Sequence, residues 1–399
     1  MNSKWKQLLA FSMTAIFVLT APAAAWAAKE GAAPNAASQA ANAADLAPSA
    51  RSAILMDADS GTIIYEKNSH AALPPASITK VMTMLLIMEA LDEGRIKLTD
   101  KVATSEYAAS MGGSQIFLEP GEQMSVDEML KGIALASGND ASVAMAEKIA
   151  GTEAAFVDMM NKRAQELGLK NTHFANCNGL PATDHYSSAH DIAVMSRELL
   201  KHSEITKYTG LYQDYLRKSS EKPFWLVNTN KLVRFYTGAD GLKTGFTSEA
   251  KFCLTATARR DNLRVIAVVM GEPNTKTRNA EVSQMFDYSF AQYMNHTIFK
   301  KGDAMGVVPV EKGVVPELQL TAKHSYSVLL KKGSSVKDIR FELQLQPLKA
   351  PVTINDPIGK LIVFQGDQVL TEFAVDSPAT VKRAGWWTLF KRSCGSLFS

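Results

Sequence analysis

Cysteine is scarce in this chain. Three occur in 399 residues, Cys177, Cys253 and Cys394, with no C-x-x-C pair among them. That argues against a disulfide framework or a cysteine zinc site, although a Cys177–Cys253 bridge stays open at this level. No H-E-x-x-H or similar paired spacing occurs, and His173, His185 and His190 are only loosely clustered, so capping or loop roles are expected for them and no metal. Charge of one sign is also missing: 43 basic and 40 acidic residues leave a net charge of +3, with no Lys/Arg-rich run. A nucleic-acid partner is therefore not expected. The apolar stretch from Leu8 to Thr20 is short for a bilayer span.

What is present is an ordinary globular balance, 46% hydrophobic and 21% charged, with length for one large or two ordinary domains. Lys4 and Lys6 precede the Leu8–Thr20 stretch, and Ala25 and Ala27 supply an A-x-A site. Residues 1–27 thus read as a cleaved export signal, with an uncleaved anchor as the alternative. The Ala-rich segment 28–47 reads as a flexible spacer.

Beyond it, 51–68 predicts two short strands around Asp59-Ser60-Gly61. Helices follow in the middle of the chain. Ser125 with Glu128 predicts a capping box, Gly168 a helix stop, and Ser188 with Asp191 a further cap. Residues 251–271 predict a hairpin turning at Asp261-Asn262, and 276–296 a helix. Strands at both ends with helices between them suit a sheet built from distant segments and an inserted helical lobe. From Phe299 onward, alternating apolar and polar residues with closely spaced turns predict an all-β module, a small sandwich.

The chemistry begins in "PPASITKVMTMLLIMEAL", residues 74–91. An apolar helix opens on Ser77 and Lys80, three residues apart and hence on one helical face. A hydroxyl is a weak nucleophile unless a base takes its proton, and a lysine serves as that base only when burial or nearby positive charge depresses its pKa. S-x-x-K alone is a weak signal. It is followed, however, by Ser137-Gly138-Asn139 and by Lys243-Thr244-Gly245, spaced 60 and 106 residues apart. The ordered set S-x-x-K, S-x-N, K-T-G is a signature of penicillin-binding proteins and class A β-lactamases. The nucleotide-loop alternative for "GADGLKTG" fails because Leu242, not glycine, precedes the lysine. On chemical grounds Ser137 suits proton relay and Asn139 offers an amide to the substrate backbone. Lys243 and Thr244 suit a substrate carboxylate, and the N–H groups of Ser77 and Phe246 suit a developing oxyanion. Gly245 allows close backbone approach.

With these motifs, and with "HYSSAHDIAVMSREL" and "DGLKTGFTSEAKFCLTATA", the chain from about residue 48 to 399 resembles the D-alanyl-D-alanine carboxypeptidases, low-molecular-mass penicillin-binding serine peptidases. The resemblance implies a β-lactamase/transpeptidase-like domain over 48–297, a small β domain over 298–382 and a membrane-anchoring amphipathic helix over 383–399. It implies an acyl-enzyme on Ser77 with Lys80 as base, release of the terminal D-Ala from peptidoglycan stem peptides, inhibition by β-lactams, an exported enzyme on the outer membrane face, and no cofactor. It gives Arg278 a carboxylate-binding role, against the alternative of a helix-surface arginine. Phe246 stands where relatives often carry histidine, so any deacylation role of that histidine passes to Lys80 and Ser137 or is absent. The other readings are a β-lactamase, for which no E-x-x-L-N-type segment follows Ser137, and a non-catalytic penicillin-binding sensor.

Overall fold

The computed structural model describes residues 45–395; the expected signal segment lies outside them, as does most of the expected spacer. Five strands form an antiparallel sheet: β1 (Ser52–Asp57), β2 (Ile63–Lys67), β3 (Ala239–Thr247), β4 (Lys251–Arg260) and β5 (Leu263–Glu272). Their order across the sheet is β2-β1-β5-β4-β3. β1 and β2 come from one end of the chain segment and β3 to β5 from the other, so the sheet closes only when β1 meets β5, from Ser52 opposite Met270 to Asp57 opposite Val265. β4 and β5 are joined at Asp261-Asn262, as the turn signal predicts.

Both faces of the sheet are covered, which is why "RVIAVVMG" in β5 is apolar without alternation. On one face Ala53, Leu55, Val265, Ala267 and Val269 pack against Val282, Met285 and Phe286 of the last helix in this domain. On the other, Ile54, Met56, Ile266, Val268 and Met270 meet the helical lobe. That lobe contains α1 (Lys80–Asp92), α2 (Val126–Ala136), α3 (Asn139–Ala150), α4 (Glu153–Glu166) and α5 (Ala189–Leu200), and α6 (Thr275–Gln292) lies on the opposite face. Ser125 makes the predicted capping box with Glu128, and Ser188 caps α5 by accepting from Asp191 N. α1 sits at the centre: every side chain from Lys80 to Met88 is buried, so it is apolar all round rather than amphipathic.

Three sequence expectations shift. Residues 76–79 form a 3-10 turn, and the α-helix begins at Lys80 itself. α6 stops at Gln292, because Tyr293–Phe299, rich in β-favouring side chains, pairs as a strand with Tyr326–Lys331. The end of the expected spacer is packed: Leu46 and Ala47 are buried against Leu55 and the α6 face.

The C-terminal β region has its own core, including Val308, Leu320, Val328, Leu361, Phe373 and Val375. It is built from small sheets of two and three strands. A final helix, Trp386–Gly395, follows. Its Arg392 guanidinium donates to the carbonyls of Gly313 and Val314 at 2.8 and 2.6 Å, while Trp386, Trp387 and Phe390 are exposed, Trp386 stacking on Phe390 and Trp387 meeting both edge-on. No helix among the described residues is long and apolar enough to cross a membrane.

Candidate active site

Four separate segments converge at the start of α1. The 3-10 turn before it holds Ser77 half-buried at its edge. The turn is tight: Ala76 has φ 49°, a left-handed value that non-glycine residues rarely adopt. Two glycines permit it. A Cβ on Gly245 of β3 would lie 3.1 Å from Ser77 N and Ile78 N, so this strand runs hard against the turn. A Cβ on Gly179, whose φ is 88°, would fall 2.0 Å from the Ala76 carbonyl oxygen.

Lys80 is completely buried. Its Nζ is 3.2 Å from Ser77 Oγ, 2.6 Å from Asn139 Oδ1 and 2.6 Å from the Asn178 carbonyl oxygen. Burial drives the amine down to about 7, against a weaker upward pull from Cys177 and Asp140. A neutral amine has two N–H donors and one lone pair. The two short contacts are to atoms that only accept, so the lone pair is left for the longest contact, the Ser77 hydroxyl.

Ser137 follows α2 with φ 63°, a left-handed cap that ends the helix and lets α3 start two residues later. Its Oγ is buried and has no hydrogen-bond partner. Asn139 has partners inside the protein that the sequence did not show. Its Oδ1 accepts from Lys80 and its Nδ2 donates to the Gly112 carbonyl at 2.7 Å, so both ends of the amide are engaged within the protein.

β3 is an edge strand, leaving one side of its backbone unpaired. Lys243 is buried in it and donates to the Thr244 carbonyl at 2.9 Å. Burial first, then the Lys80 and Arg278 cations, hold its amine well below the usual lysine value. Thr244 Oγ1 lies 2.7 Å from Thr229 Oγ1. Phe246 is exposed, with its ring against Phe252. Arg278 of α6 is 4% exposed, which rules out the solvated helix-surface alternative. Its Nε and one terminal nitrogen both donate to Asn279 Oδ1, and no carboxylate of the described residues makes an ion pair with it or with Lys243.

Some of the site escaped the sequence. The Asn178 carbonyl is a backbone atom and has no residue signature. The Asn176-Cys177-Asn178-Gly179 segment that delivers it is held by Asn176 Oδ1, which accepts from Gly179 N at 2.7 Å, and by Thr83 Oγ1 donating to the Cys177 carbonyl. Its N-x-N-G composition was a readable turn signal. His185 accepts from Ala175 N, which puts its proton on Nε2, donating to Thr79 Oγ1 at 2.8 Å beside Lys80. Burial pushes that imidazole down to about 4, so it stays neutral. Cys177 and Cys253 are both buried and free. Among the described residues no group of His, Cys, Asp and Glu has the arrangement to hold a metal ion.

Residues 36–274, which carry all three motifs, match the family of D-alanyl-D-alanine carboxypeptidases, peptidase S11. The chain belongs to the D-alanyl-D-alanine carboxypeptidase family of serine peptidases. Residues 293–383 of this carboxypeptidase match a second family, the C-terminal domain of penicillin-binding protein 5. It is similar to D-alanyl-D-alanine carboxypeptidase DacF of Bacillus subtilis, 51% identical over 98% of each chain. It is also similar to DacA of Escherichia coli, 34% identical over 80% of each. Among solved structures it resembles penicillin-binding protein 5 of Haemophilus influenzae, with 31% identity and a TM-score of 0.66 over 84% of this chain and 98% of that one. Penicillin-binding protein D2 of Listeria monocytogenes, in an ampicillin-bound form, matches with 28% identity and a TM-score of 0.55 over 61% of this carboxypeptidase and 98% of that chain.

Proposed function

We propose that this serine peptidase removes the terminal D-Ala from peptidoglycan stem peptides through an acyl-enzyme on Ser77, and that β-lactams are trapped on the same oxygen. The observation that carries the reading is the lysine geometry. Two acceptors at 2.6 Å and one hydroxyl at 3.2 Å leave Lys80 a single role when neutral, accepting the Ser77 proton. Ser77 Oγ then attacks the carbonyl of the penultimate D-Ala. The backbone N–H groups of Ser77 and Phe246, brought close by the Gly245 approach, stabilise the oxyanion. The substrate lies along the open edge of β3 as an added strand. Its terminal carboxylate meets Lys243, Thr244 and Arg278, and the arriving anion offsets the burial and the neighbouring cations that hold the Lys243 amine down, so that the amine binds it as an ammonium.

Ser137 Oγ, buried and unpartnered, hands the proton from Lys80 to the leaving D-Ala amine. Water then replaces the amine, and Lys80 with Ser137 serves as the base for deacylation, since Phe246 has no proton to move. Asn139 orients Lys80 rather than the substrate. The test is release of D-Ala from a synthetic stem peptide, together with peptide mapping of a penicillin adduct. The expected result is steady turnover of the peptide and one adduct, on Ser77. An adduct elsewhere, or acylation without any D-Ala release, would overturn the reading.

The protein is exported and rests on the outer face of the cell membrane through Trp386–Gly395. Support comes from Trp386, Trp387 and Phe390, which form an exposed aromatic cluster beside Lys391. Burying three such side chains at roughly 1.5–3 kcal/mol each suffices for interfacial binding before ordering costs. Truncation after Ala384 is expected to move the mature enzyme from the membrane fraction to the soluble fraction without changing its acylation rate. Retention of the truncated form in membranes would refute the anchor.

A further inference from the structure

Behind Arg278 lies a cluster that the motifs do not mention. Glu272, at the end of β5, is fully buried, and neither of its carboxyl oxygens has a hydrogen-bond donor. Across from it on α6, one turn beyond Arg278, Glu281 is also buried. Its Oε1 accepts from Ser49 N at 2.9 Å, and its Oε2 has no donor. Three undonated carboxyl oxygens in one buried place are costly, and two carboxylates this close do not both ionise. Glu281 acts on the Glu272 carboxyl through a side-chain hydrogen bond and through its charge. A single proton supplies the missing O–H donor. It resides on Glu272, neither of whose oxygens has a donor, whereas Glu281 already accepts from Ser49 N.

We propose that Glu272 and Glu281 share one proton, and that this pair is a positioning element for Arg278, sparing its guanidinium an ion pair with Glu272 and leaving it available to the substrate carboxylate. The second half rests on the carboxylate-binding reading of Arg278 given above. The groups facing Glu272 are Lys67 from β2, Arg278 and Glu281 from α6, the Cys253 thiol from β4, and Arg51, whose side chain covers Gly271. Burial, then Glu281, pushes Glu272 up to about 8, while Lys67 and Arg278 pull the other way. Loss of the shared proton adds an anion beside Arg278. The guanidinium is then drawn to Glu272, in competition with the substrate. KM rises with pH while kcat follows Lys80.

The test compares wild type, Glu272→Gln, Glu281→Gln and Arg278→Ala in D-Ala release from a stem peptide and in thermal unfolding across pH 5–9.5. Wild-type KM is expected to rise about tenfold above pH 8, the weight of one charge-assisted hydrogen bond. In Glu272→Gln the amide keeps a donor but does not ionise, so KM stays flat. In Glu281→Gln, the new amide donates to Glu272 and favours its charged form, so the rise moves to lower pH. The kcat profile is the same in wild type and both glutamine variants, which a merely structural role would not predict.

Unfolding tests the shared proton alone. The folded state keeps a proton that the unfolded chain releases above the ordinary value of 4.5. Wild type therefore loses stability relative to Glu272→Gln as pH rises from 4.5 to about 8, and the gap then stops growing. A Tm gap independent of pH would overturn the shared proton. The expected Tm gap with an unchanged KM profile in Glu272→Gln, while Arg278→Ala raises KM, would overturn the positioning role. An unchanged KM in Arg278→Ala would remove both the carboxylate role of Arg278 and the positioning role, leaving the shared proton to stand on the Tm result.

Discussion

Replacing Lys80 by methionine lowers the rate of acylation by a fluorescent penicillin about 10²–10⁴-fold, the usual weight of a general base. Methionine matches the shape of the lysine stem in a site with no solvent exposure, so the fold persists and the loss reads on chemistry. The pH dependence separates a base from a packing residue. Lys80 loses its proton near 7, so wild-type acylation climbs about tenfold per pH unit below 7 and levels off above it. The variant's residual rate lacks that limb. Stability runs with the same sign: between about 7 and 10.5 the unfolded lysine holds a proton that the folded one has released, so folding becomes more favourable as pH rises through that window. Wild-type Tm gains on Lys80→Met there. Rapid-mixing acylation and thermal scans measure both, and an acylation rate close to wild type would reject Lys80 as the base.

Gly179→Ala carries the second large effect, through backbone alone. The new methyl would lie 2.0 Å from the Ala76 carbonyl oxygen and 2.9 Å from Ser77 N, at a φ of 88° that alanine already resists. Neither neighbour is a flexible side-chain end, so the turn holding the nucleophile must move. The expected cost is at least ~3 kcal/mol of stability, with a fall in acylation of about 10²-fold from displacement of the attacking oxygen. Gly94→Ala is the control. Gly94 also has a positive φ, 71°, but nothing lies within 4 Å of its Cβ position. It should cost only about 1–2 kcal/mol and leave acylation unchanged. Equal behaviour of the two variants in denaturant titration and penicillin labelling would show that the Gly179 contact has no special importance.

The candidates Ser77, Lys80, Ser137 and Lys243 stood out in the sequence because each proposed role demands a particular side chain, and the order of the motifs picked out which serines and lysines to consider. The helical lobe and the β4–β5 hairpin were legible from caps and turn residues, which act locally. What stayed hidden is long-range or belongs to the main chain. The Asn178 carbonyl meets Lys80 across 98 positions, and any residue would supply the same oxygen. The Ser49–Glu281 contact joins residues 232 apart, so nothing near Glu281 marks it as buried. For Asn139 the sequence did not reveal the partners inside the protein, Lys80 and the Gly112 carbonyl. An amide has two ends, and only the fold decides what faces each. The boundary at Gln292 slipped because Tyr293–Phe299 gains a partner strand that sequence periodicity does not contain.

The burial of Lys80 has a consequence for when this protein becomes reactive. In an extended chain position 80 is an ordinary ammonium group and the neighbouring alcohol is inert, so an unfinished or denatured molecule has no armed oxygen to misdirect. On the proposed mechanism, reactivity is switched on by water leaving one amine, and water leaves only after the sheet and the helical lobe have docked around it. The enzyme's competence is in this sense a by-product of completing its own interior.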